Sequence, residues 1–112
     1  MPRYLISFDE GSMTFPEAEL PDVAAASLAV VADAEAAGVW VYGAGVGPEP
    51  ASVVATDGTV SRDPALDAKP HVGGFCVLDV PTREEAEAWA GRIAEACRCA
   101  QEVRALLVDP RD

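Results

Sequence analysis

The sequence predicts an α+β domain in which short strands alternate with helices. Three apolar segments, residues 3–8, 39–46 and 74–80, are rich in β-branched and aromatic residues and end at glycine, proline or acidic residues, which is typical of strands. Apolar residues recur at intervals of three and four over residues 22–37 and again beyond residue 82, which indicates helices. The change from one period to the other defines strand and helix units.

The first helix is predicted over residues 22–37, where alanine dominates. The positions that repeat at helical spacing are Val23, Ser27, Val30 and Ala34. Gly38 follows as a C-terminal stop, because glycine readily adopts the left-handed conformation behind a helix. The strand of residues 39–46 comes next and ends at Gly47-Pro48.

A β-hairpin is predicted over residues 51–61, because Asp57-Gly58 can supply positive φ at a two-residue turn. The loop of residues 62–72 holds two prolines and four charged residues, so it cannot be a central strand. We expect Gly73-Gly74 to let this loop turn tightly into the next strand, residues 74–80.

The second helix is predicted to begin after Thr82, which with Glu85 forms a capping box. Its apolar stripe consists of Ala86, Trp89, Ala90, Ile93 and Cys97. We expect Trp89 to anchor this helix on the sheet. A last strand over residues 102–108 completes a single domain, residues 1–112, whose order is that of the ferredoxin-like βαββαβ fold with an inserted hairpin.

Both faces of the central strands are apolar, which predicts a homodimer. In residues 74–80, Phe75 and Val77 oppose Cys76 and Leu78, since side chains alternate along a strand. Right-handed crossovers place both helices of a βαββαβ unit on one face of the sheet. Large side chains on the other face contribute roughly 1.5–3 kcal/mol each when buried. A second copy is the natural cover, so we predict two sheets face to face, a dimeric α/β barrel.

The last strand predicts a polar site in the cleft between those sheets. Val103, Ala105 and Leu107 suit the helix side, which leaves Glu102 and Arg104 pointing into the cleft. Buried charges must be paired or must meet a polar ligand. The alternative is that the two residues pair with each other across the dimer.

Composition and motifs exclude several classes of partner. The formal net charge of −11 repels nucleic acid. No apolar run approaches the roughly 18 residues of a membrane span, and the N-terminus lacks the features of a signal peptide, so a cytoplasmic protein is expected. With one histidine and no CxxC or HExxH, we expect neither a metal nor a cofactor. The glycines of GAGVG lead into prolines rather than a helix, unlike a dinucleotide fingerprint.

The stretch GGFCVLDVPTREEAEAWAGRIAEA followed by QEVRALLV resembles the YCII-related family, in its branch with an Asp-Gly-Pro-Phe motif. RYLISF and GAGVGPEPASVVATDGTV fit the first strand and hairpin of that branch. The resemblance implies a ferredoxin-like fold that dimerises into a barrel, and either small-molecule binding or lyase-like and isomerase-like chemistry with a His and Asp pair. The chain departs from the motif, because it reads Arg62-Asp63-Pro64-Ala65 there. Asp67 and Lys69 fall where the family usually has an acid and a lysine.

Three functions are compatible with these residues. An enzyme would use His71 as general acid or base, oriented by Asp63 or Asp67, with Lys69 or Arg104 stabilising a developing anion. The alternatives without a catalytic role are that His71 is a solvated loop residue and that Asp67 and Lys69 form a surface pair. No family position matches His71.

A binding module would use the same cleft without chemistry. Arg104 and Lys69 would hold a small anionic metabolite, with Asp63 and Glu102 beside them. The third function is regulation of another protein, in which the acidic surface meets a basic partner. The lack of a securely placed His and Asp pair favours the second and third functions, and we take small-metabolite binding as the prediction.

Overall fold

A computed structural model describes residues 2–62 and 71–111 of the chain. These residues form six strands and two helices, with a short 3-10 turn, Glu17–Glu19, before the first helix. The elements in chain order are β1 (Arg3–Asp9), α1 (Leu20–Ala36), β2 (Trp40–Gly45), β3 (Val53–Val54), β4 (Val60–Ser61), β5 (Val72–Asp79), α2 (Arg83–Cys97) and β6 (Glu102–Ala105).

Within the described residues, four of the strands form one antiparallel sheet in the order β2-β5-β1-β6. β1 lies inside the sheet and pairs with both β5 and β6. β3 and β4 form a separate two-stranded hairpin. The mixed architecture of two helices with antiparallel sheets is compatible with the ferredoxin-like fold that the sequence predicts.

The core lies between one face of the sheet and α2. Ile6, Leu78 and Val80 are fully buried there and cluster with Ala86 and Ala90 of the helix. Small residues on α2 let the helix backbone approach the sheet closely.

Trp89 packs half-buried against the edge of this core, in agreement with its expected contact. The guanidinium carbon of Arg92 lies 4.8 Å from the centroid of the Trp89 ring. The ring therefore contributes packing on one side and a cation–π contact toward solvent on the other.

The residues at helical spacing along α1 are shielded from solvent, as predicted. Val23 and Ala34 are buried and Val30 is half-buried, whereas Leu28, between the repeats, is 69% exposed. The helix ends where expected, because Gly38 adopts a φ of +74° and donates its N–H to the carbonyl of Glu35 at 3.0 Å.

Gly73 and Gly74 do not form the tight turn that we expected. Both lie inside β5, and positive φ among the described glycines occurs at other positions. Their small size is needed for close approach instead. A Cβ on Gly73 would lie 2.9 Å from the Cα of Glu10, and one on Gly74 would lie 2.6 Å from the ring of Phe8.

The hairpin has a three-residue loop rather than the expected two-residue turn. The N–H of Gly58 donates to the carbonyl of Ala55 at 2.9 Å, and the N–H of Ala55 donates to Thr59 at 2.8 Å. Gly58 has positive φ (+88°), whereas Asp57 does not. Asp57 instead accepts the N–H of Thr59 at 2.9 Å, so this is a type I turn followed by a left-handed glycine.

The last strand is shorter than predicted. β6 ends at Ala105, and Leu107, expected on the helix side, is 98% exposed. The reason lies in its partner, because β1 begins at Arg3, whose carbonyl already accepts the N–H of Leu106 at 2.9 Å. Beyond Leu106 no strand backbone of β1 remains to pair with.

Candidate functional site

The face of the sheet turned away from the helices carries two rows of side chains across all four strands. Residues directly opposite each other on antiparallel strands project from the same face. The first row is Tyr42, Val77, Leu5 and Arg104, and the second is Ala44, Phe75, Ser7 and Glu102. We call these eight positions the open face.

Three of the four central residues of the open face are apolar, and the fourth is Ser7. Leu5, Phe75 and Val77 are half-buried, although the helices pack on the opposite side of the sheet. The ring centroids of Tyr42 and Phe75 are 6.1 Å apart, and Tyr42 remains 59% exposed. Apolar surfaces bordered by polar residues are common features of interaction sites.

The charged end of the open face lies on β6, as the sequence predicts. Glu102 and Arg104 project from this face, whereas Val103 packs against the core and its carbonyl accepts a 3.1 Å bond from the guanidinium of Arg83. Ion pairs among the described residues involve other side chains, such as Arg3 with Asp79 at 3.8 Å. The Arg104 guanidinium therefore has no ion-pair partner within residues 2–62 and 71–111.

His71 lies at the end of the sheet where β5 begins. Its carbonyl accepts the N–H of Glu10 at 2.7 Å, and the residue is half-buried. It lines a cavity of about 580 Å³ together with Glu10, Glu49 and the chain around residues 46–51. This cavity is acidic, in contrast to the arginine end of the open face.

One protomer does not bring His71 and Arg104 together. Arg104 is opposite Leu5, whereas Val72, next to His71, is opposite Asp9. Four residues along β1 and two strand spacings separate the two positions by roughly 16 Å. A catalytic site that uses both residues is thus not formed within a single chain.

The other predicted site residues, Asp63, Asp67 and Lys69, lie outside the described residues. Their roles in the cleft site stay predictions. Of the predicted set, the structure therefore brings together Glu102 and Arg104, which occupy alternate positions of β6.

A second cavity, which the sequence did not reveal, lies between α1, α2 and the helix-covered face of the sheet. Its volume is about 380 Å³, and its lining includes Phe8, Trp40 and Cys76. Burial raises the pKa of the Cys76 thiol to about 11, and a neighbouring cysteine acts in the same direction. The thiol stays protonated at neutral pH and behaves as an apolar group.

Nothing among the described residues suggests a metal centre. Cys76, Cys97 and Cys99 are free thiols, and residues 2–62 and 71–111 contain no cluster of three or more metal-ligating side chains. Burial also raises the pKa of the Cys99 thiol, which opposes metal binding because a thiol must lose its proton to ligate.

In the part of the chain that the structure describes, neither helix is long and apolar enough to span a membrane. No curated protein matches the sequence. The family model of the YCII-related domain matches residues 4–107, which is nearly the whole chain. The chain belongs to the YCII-related domain family.

Proposed function

We propose that the protein is a homodimer that binds a small anionic metabolite between two sheets packed face to face, as a dimeric α/β barrel. The observation that carries this proposal is the open face. It combines an apolar centre with an arginine that has no ion-pair partner among the described residues.

The apolar centre supports a second copy of the chain as the cover. Leu5, Tyr42, Phe75 and Val77 lie in adjacent rows, so the same surface of two copies can meet about a two-fold axis. Each such side chain contributes roughly 1.5–3 kcal/mol on full burial. The acidic cavity beside His71 lies outside these rows.

The charged end supports an anion as the ligand. A dimer would remove Arg104 from water, and a buried guanidinium requires a partner. Its planar donors match a carboxylate or a phosphate with two parallel hydrogen bonds. Glu102 on the same strand and the net charge of −11 disfavour large polyanions. A small monoanion or dianion suits this setting best.

Acid–base catalysis by His71 is the less favoured function, because His71 and Arg104 are separated within one protomer. Regulation of a basic protein partner has no observation that favours it over binding. We also propose a cytoplasmic location, which the three free thiols support.

The test is a thermal-shift screen against a panel of small carboxylates and phosphorylated metabolites, followed by titration calorimetry of the compounds that stabilise the protein. We expect Arg104→Ala to weaken binding by about tenfold or more, because a buried charge-assisted contact is lost. His71→Ala is expected to have a smaller effect. Arg104→Lys keeps the charge but not the planar donors and should fall between the two.

The matched control is Arg111→Ala, which removes an exposed arginine that pairs with Asp109. This variant should bind as the wild type does. A panel compound whose affinity is unchanged by Arg104→Ala would move the site away from the open face. Turnover of a bound compound that is abolished in His71→Ala would favour the enzyme instead.

A further inference from the structure

We propose that the cavity between the helices and the sheet is a second binding site, which takes a small uncharged and largely apolar molecule with one hydrogen-bonding group. We call it the inner cavity. Most of its lining lies on the helix-covered side of the sheet, and Ala44 and Phe75 of the open face also contribute to it. Its proposed ligand is uncharged, so this site does not depend on the anion site proposed above.

Several elements line the inner cavity. Phe8 and Trp40 line it from the sheet, Val30 and Val31 from α1, and Ile93 from α2. Aromatic and aliphatic walls around a volume of about 380 Å³ are characteristic of small-molecule pockets.

The sheet backbone fixes the positions of the two aromatic rings. A Cβ on Gly43 would lie 2.5 Å from the ring of Trp40, and one on Gly74 would lie 2.6 Å from the ring of Phe8. Each ring thus rests directly on a glycine, where any larger residue would displace it. The positions of these two cavity-lining rings therefore depend on glycine at two strand positions.

The lining selects against ions. None of the described residues that line the inner cavity carries a charged side chain, in a chain with 19 acidic and 8 basic residues. A charged ligand would lose its hydration there without gaining an ion pair. The cavity beside His71 differs, since Glu10 and Glu49 line it.

One corner of the inner cavity is polar. The hydroxyl of Ser27 lies 3.5 Å from the sulfur of Cys97, and Gln101 also contributes to the lining. These groups offer a donor and an acceptor to a single hydroxyl, carbonyl or amide of a ligand. An apolar cavity of about 150 Å³ already binds benzene, so the larger inner cavity suits a bicyclic molecule.

The test compares 2-naphthol, which is neutral at pH 7, with the 2-naphthoate anion. Binding to the full chain is followed by titration calorimetry and by the NMR signal of the Trp40 indole. Two variants reduce the volume of the cavity from α1, Val31→Trp and Leu28→Trp, because both residues line it. The second is used if the first does not fold. The control is Ala25→Trp, an exposed position of the same helix.

We expect 2-naphthol to bind the wild type and to shift the Trp40 signal. The affinity for 2-naphthoate should be lower by about tenfold or more. Either filling variant should weaken the binding of 2-naphthol by a similar factor. Ala25→Trp and Arg104→Ala should leave its affinity unchanged. The proposal is overturned if 2-naphthol does not bind, if the anion binds as tightly, or if the folded filling variants bind normally. Loss of binding in Arg104→Ala would place the probe on the open face and would overturn it as well.

Discussion

Gly43 shows how a single missing methyl group shapes the sheet. A Cβ at this position would lie 2.5 Å from the Trp40 ring and 2.9 Å from the Cβ of Cys76. We expect Gly43→Ala to lower the free energy of unfolding by about 1–3 kcal/mol, because the ring must move out of a packed position. Urea denaturation followed by circular dichroism measures this change.

Gly45 provides the matched control on the same strand. A Cβ there meets nothing within 4 Å, and the residue does not have positive φ. Gly45→Ala should be neutral, or stabilise the fold by up to about 1 kcal/mol, because alanine loses less backbone entropy on folding. Equal losses at the two positions would show that Trp40 does not lie over Gly43.

Trp89 tests the packing of α2. The ring is half-buried against the core and carries Arg92 on its outer side. We expect Trp89→Ala to cost about 3 kcal/mol, the lower end of the range for large aromatic truncations, since part of the ring faces solvent. Chemical denaturation gives the value, and a loss below about 1 kcal/mol would place the ring outside the core.

The face of each residue was predictable where a strand alternates regularly. Val103 packs inward and Glu102 and Arg104 project from the other face, as the alternation of β6 predicts. Gly73-Gly74 was not predictable in this way. The same pair of glycines permits a turn or a close approach, and only the position of Phe8 and Glu10 above the strand decides between them.

Among the elements, α2 was the most predictable, because its N-terminal cap and its apolar face are both determined by neighbouring residues in the sequence. The N–H of Glu85 donates to the hydroxyl of Thr82 at 3.2 Å, which is the N-cap bond of the predicted capping box. Thr82→Ala should lower the free energy of unfolding by about 1 kcal/mol, since one N–H of the first turn loses its acceptor.

Thr82→Ser is the control for that change, because serine retains the hydroxyl and should stay within about 0.5 kcal/mol of the wild type. Thermal denaturation of the three proteins side by side measures both differences. A serine variant as unstable as the alanine variant would assign the effect to the lost methyl group rather than to the cap.

The ends of β6 and of the hairpin were harder to predict. The apolar run Leu106-Leu107-Val108 extends the strand pattern, but the strand can continue only as far as its partner does. The choice between a two-residue and a three-residue hairpin loop depends on which residues of β3 and β4 pair, and both strands are only two residues long. Local sequence carries neither kind of information.

For the whole molecule, the order of elements was predictable and the distances between them were not. Two helical patterns between strand patterns predicted the α+β architecture. The separation of His71 from Arg104 depends on the register between β1 and its two neighbours, which no local pattern gives. The inner cavity depends on where α1 and α2 sit above the sheet, so it became visible only in three dimensions.

The proposed function requires the open face to be an interface between two copies of the chain. Val77 lies in the middle of this face, between Leu5 and Tyr42. Val77→Asp would place a charge there and should separate the copies, since an unpaired charge in an apolar interface is strongly unfavourable. Val54→Asp is the control, because Val54 is 62% exposed on the separate hairpin.

Sedimentation velocity of the wild type and these two variants at micromolar concentration tests whether the open face is a dimer interface. We expect the wild type and Val54→Asp to sediment with twice the 11.7 kDa mass of one chain, and Val77→Asp to sediment as a folded monomer. A wild type that is monomeric under these conditions, or a Val77→Asp variant that remains a dimer, would show that the open face is not a dimer interface.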